Sequence, residues 1–345
     1  MANPSAVSET KTELKLGTQF ALRRETNLWK DAFSRLIRNR AAMTGGVIIL
    51  GLIIVYIFAP NIALRPYDVQ VSADNNTMPE WLVTFFPMTR SYARINNSYP
   101  LGADELGRDL FSRIVYGTRV SLTVAFVGPI IALLIGTIYG SISGYLGGRV
   151  DNIMMRFVDV MYAFPTLLLI ILMMAFFRSS FAGIAEPGSL KYLMNEIDTR
   201  VGGMLFIFIG IGLTSWMGMA RQMRGQVLSL REKEFVEAAR SIGASDLQIM
   251  FRHILPNAIG PLIVLETLAI PGYISYEAFL SFIGLGVNPP TPSWGMMISD
   301  GARVIRSYPH IALFPGIALA ITMFAFNFLG DGLRDALDPR MRGTM

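Results

Sequence analysis

An all-α protein that crosses a lipid bilayer six times is the fold class this sequence predicts, and three observations predict it. Of 345 residues, 52% are hydrophobic and only 16% charged, whereas a soluble domain carries about 25% charged residues. Apolar runs of roughly the 20 residues needed to cross the hydrocarbon stand at 42–59, 120–143, 160–177, 201–220, 258–283 and 308–330. Between the fourth and fifth runs lies a polar segment, Arg231–Asn257, patterned as helix, glycine, helix.

At the N-terminus, residues 1–25 read as disordered and 27–40 as an interfacial helix. Leu28, Trp29, Ala32, Phe33, Leu36 and Ile37 form one face of that helix, and Lys30, Arg35 and Arg38 line the other. The basic residues are too frequent for this stretch to extend the first span into lipid. Residues 1–41 are therefore a polar segment and 42–59 the first transmembrane helix. Some 40 polar residues before the first apolar run are unlike a signal peptide, so that span is expected to stay as an anchor.

Residues 60–116 read as a loop outside the bilayer. Over 60–100 the sequence has no periodicity and several Pro, Asn and Ser, at a length usual for functional or flexible loops. Its end, Leu101–Arg113, sets Asp104 against Arg108 and Asp109 against Arg113 at i, i+4, a spacing suited to a short surface helix. Asp104, Glu105 and Asp109 are also candidate cation ligands. Arg108 and Arg113 already neutralise these acids, so local ion pairs are the simpler reading.

The second run carries Gly136, Gly140 and Gly144, one small residue per turn, which lets another helix approach closely in lipid. A neighbour within this chain is the default, a partner chain the alternative. The fifth run is interrupted by Pro271-Gly272 and contains Glu266 and Glu277, eleven residues apart and so on one face of an unbroken helix. Intramembrane carboxylates are functional candidates; pairing with Tyr, Ser or Arg inside the bundle is the alternative.

In the polar segment, Phe235, Ala238, Ala239 and Ile242 fall at i, i+3, i+4, i+7 as one apolar stripe, with Glu234, Glu237 and Arg240 off it. Gly243 is placed to end the helix in a left-handed cap. Ser245 starts a second helix, with Gln248 completing a capping box, and Pro256 stands where the chain is expected to turn back into the next span. An amphipathic hairpin lying on the headgroups is the competing reading. With the N-terminus inside, segments on that side hold 19 Lys and Arg against 11 on the other, which places Arg231–Asn257 and both termini in the cytoplasm. The net charge of +5 follows from basic flanks facing anionic lipid and calls for no nucleic acid.

Several chemistries are excluded. There is no cysteine, and the two histidines, His253 and His310, have no carboxylate at ligand spacing, so no metal site is expected. None of the five lysines follows a glycine, so there is no phosphate-binding loop. No Gly-x-Ser-x-Gly or His-Glu-x-x-His occurs either. The chain is not an enzyme on its own.

The string Glu237-Ala238-Ala239, then Gly243, then Leu255-Pro256 resembles the EAA loop of importer-type ABC transporter permeases. His253 stands where that motif has Ile, a departure that leaves helix, glycine, helix intact. Leu101–Arg113 with Tyr116–Arg119, and Ile270–Gly286 followed by Pro289–Gly295, are similar to signatures of the dipeptide/oligopeptide subfamily. The resemblance implies the type I ABC importer permease fold, with a transmembrane domain at 117–331, a coupling loop at 231–257 and a cytoplasmic tail at 332–345. It assigns Glu237, Ala238, Ala239, Gly243, Leu255 and Pro256 to docking on a separate ATPase. It also implies a heterodimer with a homologous permease subunit, two ATPase subunits that use ATP and Mg while this chain binds no cofactor, and an extracytoplasmic peptide-binding protein. Di- or oligopeptides are the expected cargo, with nickel, glutathione or oligosaccharide as alternatives. A secondary transporter would show inverted repeats and several mid-membrane charges, and a scaffold would not need the docking pattern. Tyr273, Tyr276, Glu277 and Glu266 are the candidate path residues, because a break at Pro271-Gly272 is tolerated only against protein or a water-filled cavity.

Overall fold

Four of the six apolar runs lie on single long helices and two on bent helix pairs, and most of these helices outrun their apolar cores. A computed structural model describes residues 28–181, 183 and 186–337; the disorder expected over 1–25 lies outside them. Helix α1 (Leu28–Arg38) stops one residue before α2 (Arg40–Ile62), and the Asn39 side chain accepts from the Ala42 amide at 3.2 Å to start the second. The interfacial helix is thus separate from the first span, with Phe33 and Ile37 exposed.

The segment after α2 corrects an expectation. It is folded, with short helix α3 (Glu80–Phe85) and a core of its own, in which Met78, Leu82 and Val83 pack with Phe86, Ala93, Tyr308 and Phe314. Asp74 accepts from Asn96 Nδ2 at 3.1 Å and from the Tyr99 hydroxyl at 2.9 Å. Such long-range polar ties leave no periodicity for a sequence reading to find. The expected surface helix at 104–113 is also absent. Asp104 does pair with Arg108 at 2.7 Å, but Asp109 instead caps α4 (Leu110–Leu146), accepting from the Ser112 amide at 2.8 Å. Arg113 reaches Asp104 at 3.5 Å, and all four side chains are buried. No cluster of three potential metal ligands occurs among the described residues. The span therefore starts at Leu110, seven residues before the expected boundary at 117.

The third and fourth runs are each bent pairs. Helices α5 (Gly148–Tyr162) and α6 (Thr166–Phe181) meet at 84°, where Pro165 lacks a donor and disfavours helix at Phe164. Helices α7 (Leu190–Arg200) and α8 (Leu205–Arg231) meet at 97°. Gly202 and Gly203 turn that corner at φ +70° and +81°, a region glycine enters without penalty. With α2, α4, α10 (Asp246–Phe282) and α12 (His310–Leu337), these pairs make six crossings when each pair counts as one. Helix α12 carries on past the boundary expected at 332, and α11 (Trp294–Arg303) precedes it.

Helix α10 overturns two expectations. The chain does not turn back at Pro256, because a π-helical stretch over Ile249–Ile254 widens the helix just before Leu255-Pro256, and such a bulge accommodates a missing ladder bond. Nor is there a break at Pro271-Gly272, since the helix continues through Pro261 and Pro271 to Phe282. Neighbouring helices and local adjustments make intramembrane prolines tolerable.

The glycine row packs within the chain, against α8. A Cβ at Gly136 would sit 2.5 Å from Met219 Cβ, one at Gly140 would collide with the Ala220 carbonyl oxygen, and one at Gly144 would lie 2.9 Å from the Arg224 carbonyl oxygen.

Candidate functional site

The segment 231–257 builds a rigid elbow at one end of the bundle. Helix α9 (Glu234–Ser241) ends in Gly243 at φ +85°. The Gly243 amide donates to the Arg240 carbonyl at 3.0 Å and the Ala244 amide to the Ala239 carbonyl at 3.1 Å, the paired bonds of a Schellman cap. Ser245 and Gln248 then form a reciprocal capping box that starts α10. Both signals were legible in the sequence.

The apolar stripe divides. Val236 and Ala239 turn inward onto Met219, Met223 and Val227 of α8 and Ile249 and Ile254 of α10. Phe235 and Ala238 face out, and Ile242 and Leu247 are 86% and 71% exposed. Ala239 thus anchors the elbow, with Val236 as the partner the stripe reading missed. Glu237 and Pro256 are exposed and Leu255 is half-buried. What remains outside is an apolar surface of Phe235, Ile242 and Leu247 among charges of both signs, with nothing in the described chain covering it.

Arginines of α8 lock this end of the bundle. Arg224 makes a two-pronged contact with Asp151 of α5 at 2.5 and 2.6 Å, and Ser143 donates to the same carboxylate at 2.5 Å. Arg221 pairs with Asp159 at 2.6 Å, and Arg231 donates to the Gly144 carbonyl at 3.0 Å. The sequence reading missed these residues. The available signal was two acids between the second and third apolar runs and three arginines after the fourth, which does not by itself say which meet.

A second feature lies at membrane depth. A cleft of about 330 Å³ opens between α8, α10 and the α5–α6 bend, lined by Tyr162, Thr166, Ser215, Gly272, Tyr273 and Tyr276 among others. The Tyr273 hydroxyl donates to the Glu266 carboxylate at 2.9 Å, and the buried Ser215 Oγ lies on the same wall of the cleft. Tyr273 and Tyr276 thus line this cleft, and Glu266 is tied to it through the Tyr273 hydroxyl. Glu277 does not join them. It is fully buried, and Ser281 and Ser121 of α4 donate to it at 2.7 and 3.2 Å.

The family model for the binding-protein-dependent transport system inner membrane component matches residues 136–343. A model for the N-terminal TM domain of oligopeptide transport permease C matches 27–79. The chain is 39% identical over 320 residues to the oligopeptide transport system permease protein OppC of Bacillus subtilis (strain 168), covering 93% of this chain and 92% of that one. It is 40% identical over 316 residues to the dipeptide transport system permease protein DppC of the same organism, covering 91% and 86%. Among solved structures, an inward-facing conformation of the MetNI methionine ABC transporter aligns at TM-score 0.48 and 18% identity, covering 66% of this chain and 96% of that chain.

Proposed function

The chain belongs to the binding-protein-dependent transport system inner membrane component family, and from that premise we propose that it is the permease subunit of an ATP-driven peptide importer, supplying half of the transmembrane path. The observation that carries the reading is the elbow: one face is packed on α8 and α10, and the other holds exposed Ile242 and Leu247 beside Glu237. Burying an Ile or Leu contributes about 1.5–3 kcal/mol, and the acids of the first turn of α9 suit basic partners. The occupant is an ATPase subunit, one of a pair. A homologous permease completes the path, and an extracytoplasmic binding protein delivers the cargo. The excess of basic residues on the elbow side supports cytoplasmic termini. The peptide assignment rests on the oligopeptide and dipeptide systems for which the relatives are named.

In this reading Tyr273 and Tyr276 border the path, with Glu266 held by Tyr273, and hydroxyls around the cleft meet the polar backbone of a peptide. Glu277, enclosed by serines, fixes α10 against α4 and stands outside the path. The test is uptake of a labelled tripeptide by the complete complex in proteoliposomes carrying Tyr276→Cys. Uptake is expected to require ATP and to stop once a bulky thiol reagent has modified that cysteine, in a chain that otherwise has none. ATP-independent uptake would overturn the transporter class; full uptake after complete modification would remove Tyr276 from the path.

A further inference from the structure

We infer that the outward side of α3 and of the 3-10 turn after it (Pro87–Thr89), carrying Trp81, Phe85 and Met88, is a lipid-binding surface, which seats the folded 60–109 segment in the headgroup layer of the adjacent leaflet. The inference needs only that the bundle spans a bilayer. Helix α3 is apolar on both sides. Leu82, Val83 and, just past the helix, Phe86 pack into the local core, while Trp81 and Phe85, one turn apart on α3, and Met88, in the turn that follows, are 50%, 68% and 63% exposed. Nothing in the described chain covers them, and soluble surfaces rarely leave such residues contiguous.

Three observations favour lipid over a protein partner. The Trp81 ring lies 6.2 Å from Phe314, in the second turn of α12, so the exposed face stands where a membrane-crossing helix begins. The outward stripe of that helix, Leu313, Ile317, Ile321 and Phe324, is 41–61% exposed, so the helix surface that lipid covers begins one residue from Phe314. Finally, the polar handle of the aromatic anchor is already satisfied, since Trp81 Nε1 donates to the Pro100 carbonyl at 3.0 Å. The indole can thus sit among headgroups and acyl carbonyls at no hydrogen-bonding cost. Aromatic side chains concentrate at this depth, and Trp and Phe are the apolar residues expected in an interfacial helix. Only Glu80 and Arg90 carry charge between residues 80 and 92, so the segment has little reason to stay in bulk water.

The experiment places an environment-sensitive fluorophore on Phe85→Cys or Met88→Cys in the complete complex, each position being mostly exposed. The complex is held in phosphatidylcholine and phosphatidylglycerol nanodiscs, with or without lipid brominated near the headgroup, and unlabelled-position background is taken from the natural chain. Arg94→Cys, on the same folded segment, is the control. The expected result is fluorescence at 85 and 88 lowered by about two-fold or more in brominated lipid, with the control unchanged. Equal fluorescence in both lipids would overturn the inference, whether the label stays open to water or changes only when the extracytoplasmic binding protein is added. The second pattern would assign the face to that protein.

Discussion

Gly140→Leu is expected to abolish recovery of the folded chain. A side chain at Gly140 points at the backbone carbonyl of Ala220 and lies near Met223 and the Arg224 amide. Backbone cannot step aside as a flexible side chain can, so α4 and α8 must separate along the whole glycine row. Overpacking a well-filled site costs about 1–3 kcal/mol. Separation also disturbs the contacts of Arg224 with Asp151 and of Arg231 with the Gly144 carbonyl, which adds to that cost. Gly51→Leu is the matched control, since a Cβ there meets nothing within 4 Å. Yield of monodisperse protein and thermal denaturation of the purified complex are the readouts. Recovery of Gly140→Leu at the level of Gly51→Leu would show that the helices pack elsewhere.

Gly243→Val is expected to leave the bundle folded and to uncouple it from its ATPase. A Cβ at Gly243 meets nothing within 4 Å, yet φ is +85°. The penalty is therefore purely conformational, about 1–3 kcal/mol for a non-glycine residue held there. The strain falls on the two cap bonds to Arg240 and Ala239, which set the angle between α9 and α10. Relief of that strain rotates Ile242 and Leu247 away from their docking geometry. Co-purification of the ATPase subunits should fall about ten-fold for each 1.4 kcal/mol lost, with chain yield unchanged. Gly243→Asn should retain most of it, because Asn enters the left-handed region more readily than β-branched residues do. Equal loss in both variants would point to side-chain volume rather than backbone conformation.

The elbow was the most legible part of the sequence because its determinants are local. Gly243 and the Ser245–Gln248 box act within three or four residues, and the structure realises both. What escaped was non-local. The folded 60–109 segment depends on pairs such as Asp74 with Tyr99, and the arginine lock pairs residues 73 apart. Apolar runs located the spans but not their ends, since α8 and α4 extend as polar helix beyond the lipid-matched core. Proline was over-read: the breaks expected at Pro256 and Pro271 became a π-helical widening and an uninterrupted helix. At Pro165, by contrast, a bend does occur. The difference lies in what each proline neighbours, which no local rule encodes. Glu266 and Glu277 lie on one side of α10 as their spacing predicts, yet only Glu266 adjoins the cleft wall, through Tyr273.

The central claim, that the exposed face of the elbow seats an ATPase rather than lying on lipid, is tested most directly by cysteine cross-linking. Ile242→Cys and Leu247→Cys each introduce a single thiol into a chain that has none, on a surface where neither side chain is packed. In membranes containing the complete complex, a short bifunctional thiol or thiol–amine reagent should join each cysteine to an ATPase subunit, with a yield that changes between nucleotide-free and ATP-trapped states. If instead both cysteines react with lipid-phase reagents and form no adduct with an ATPase in either state, the segment is an amphipathic hairpin on the headgroups and the coupling assignment is wrong.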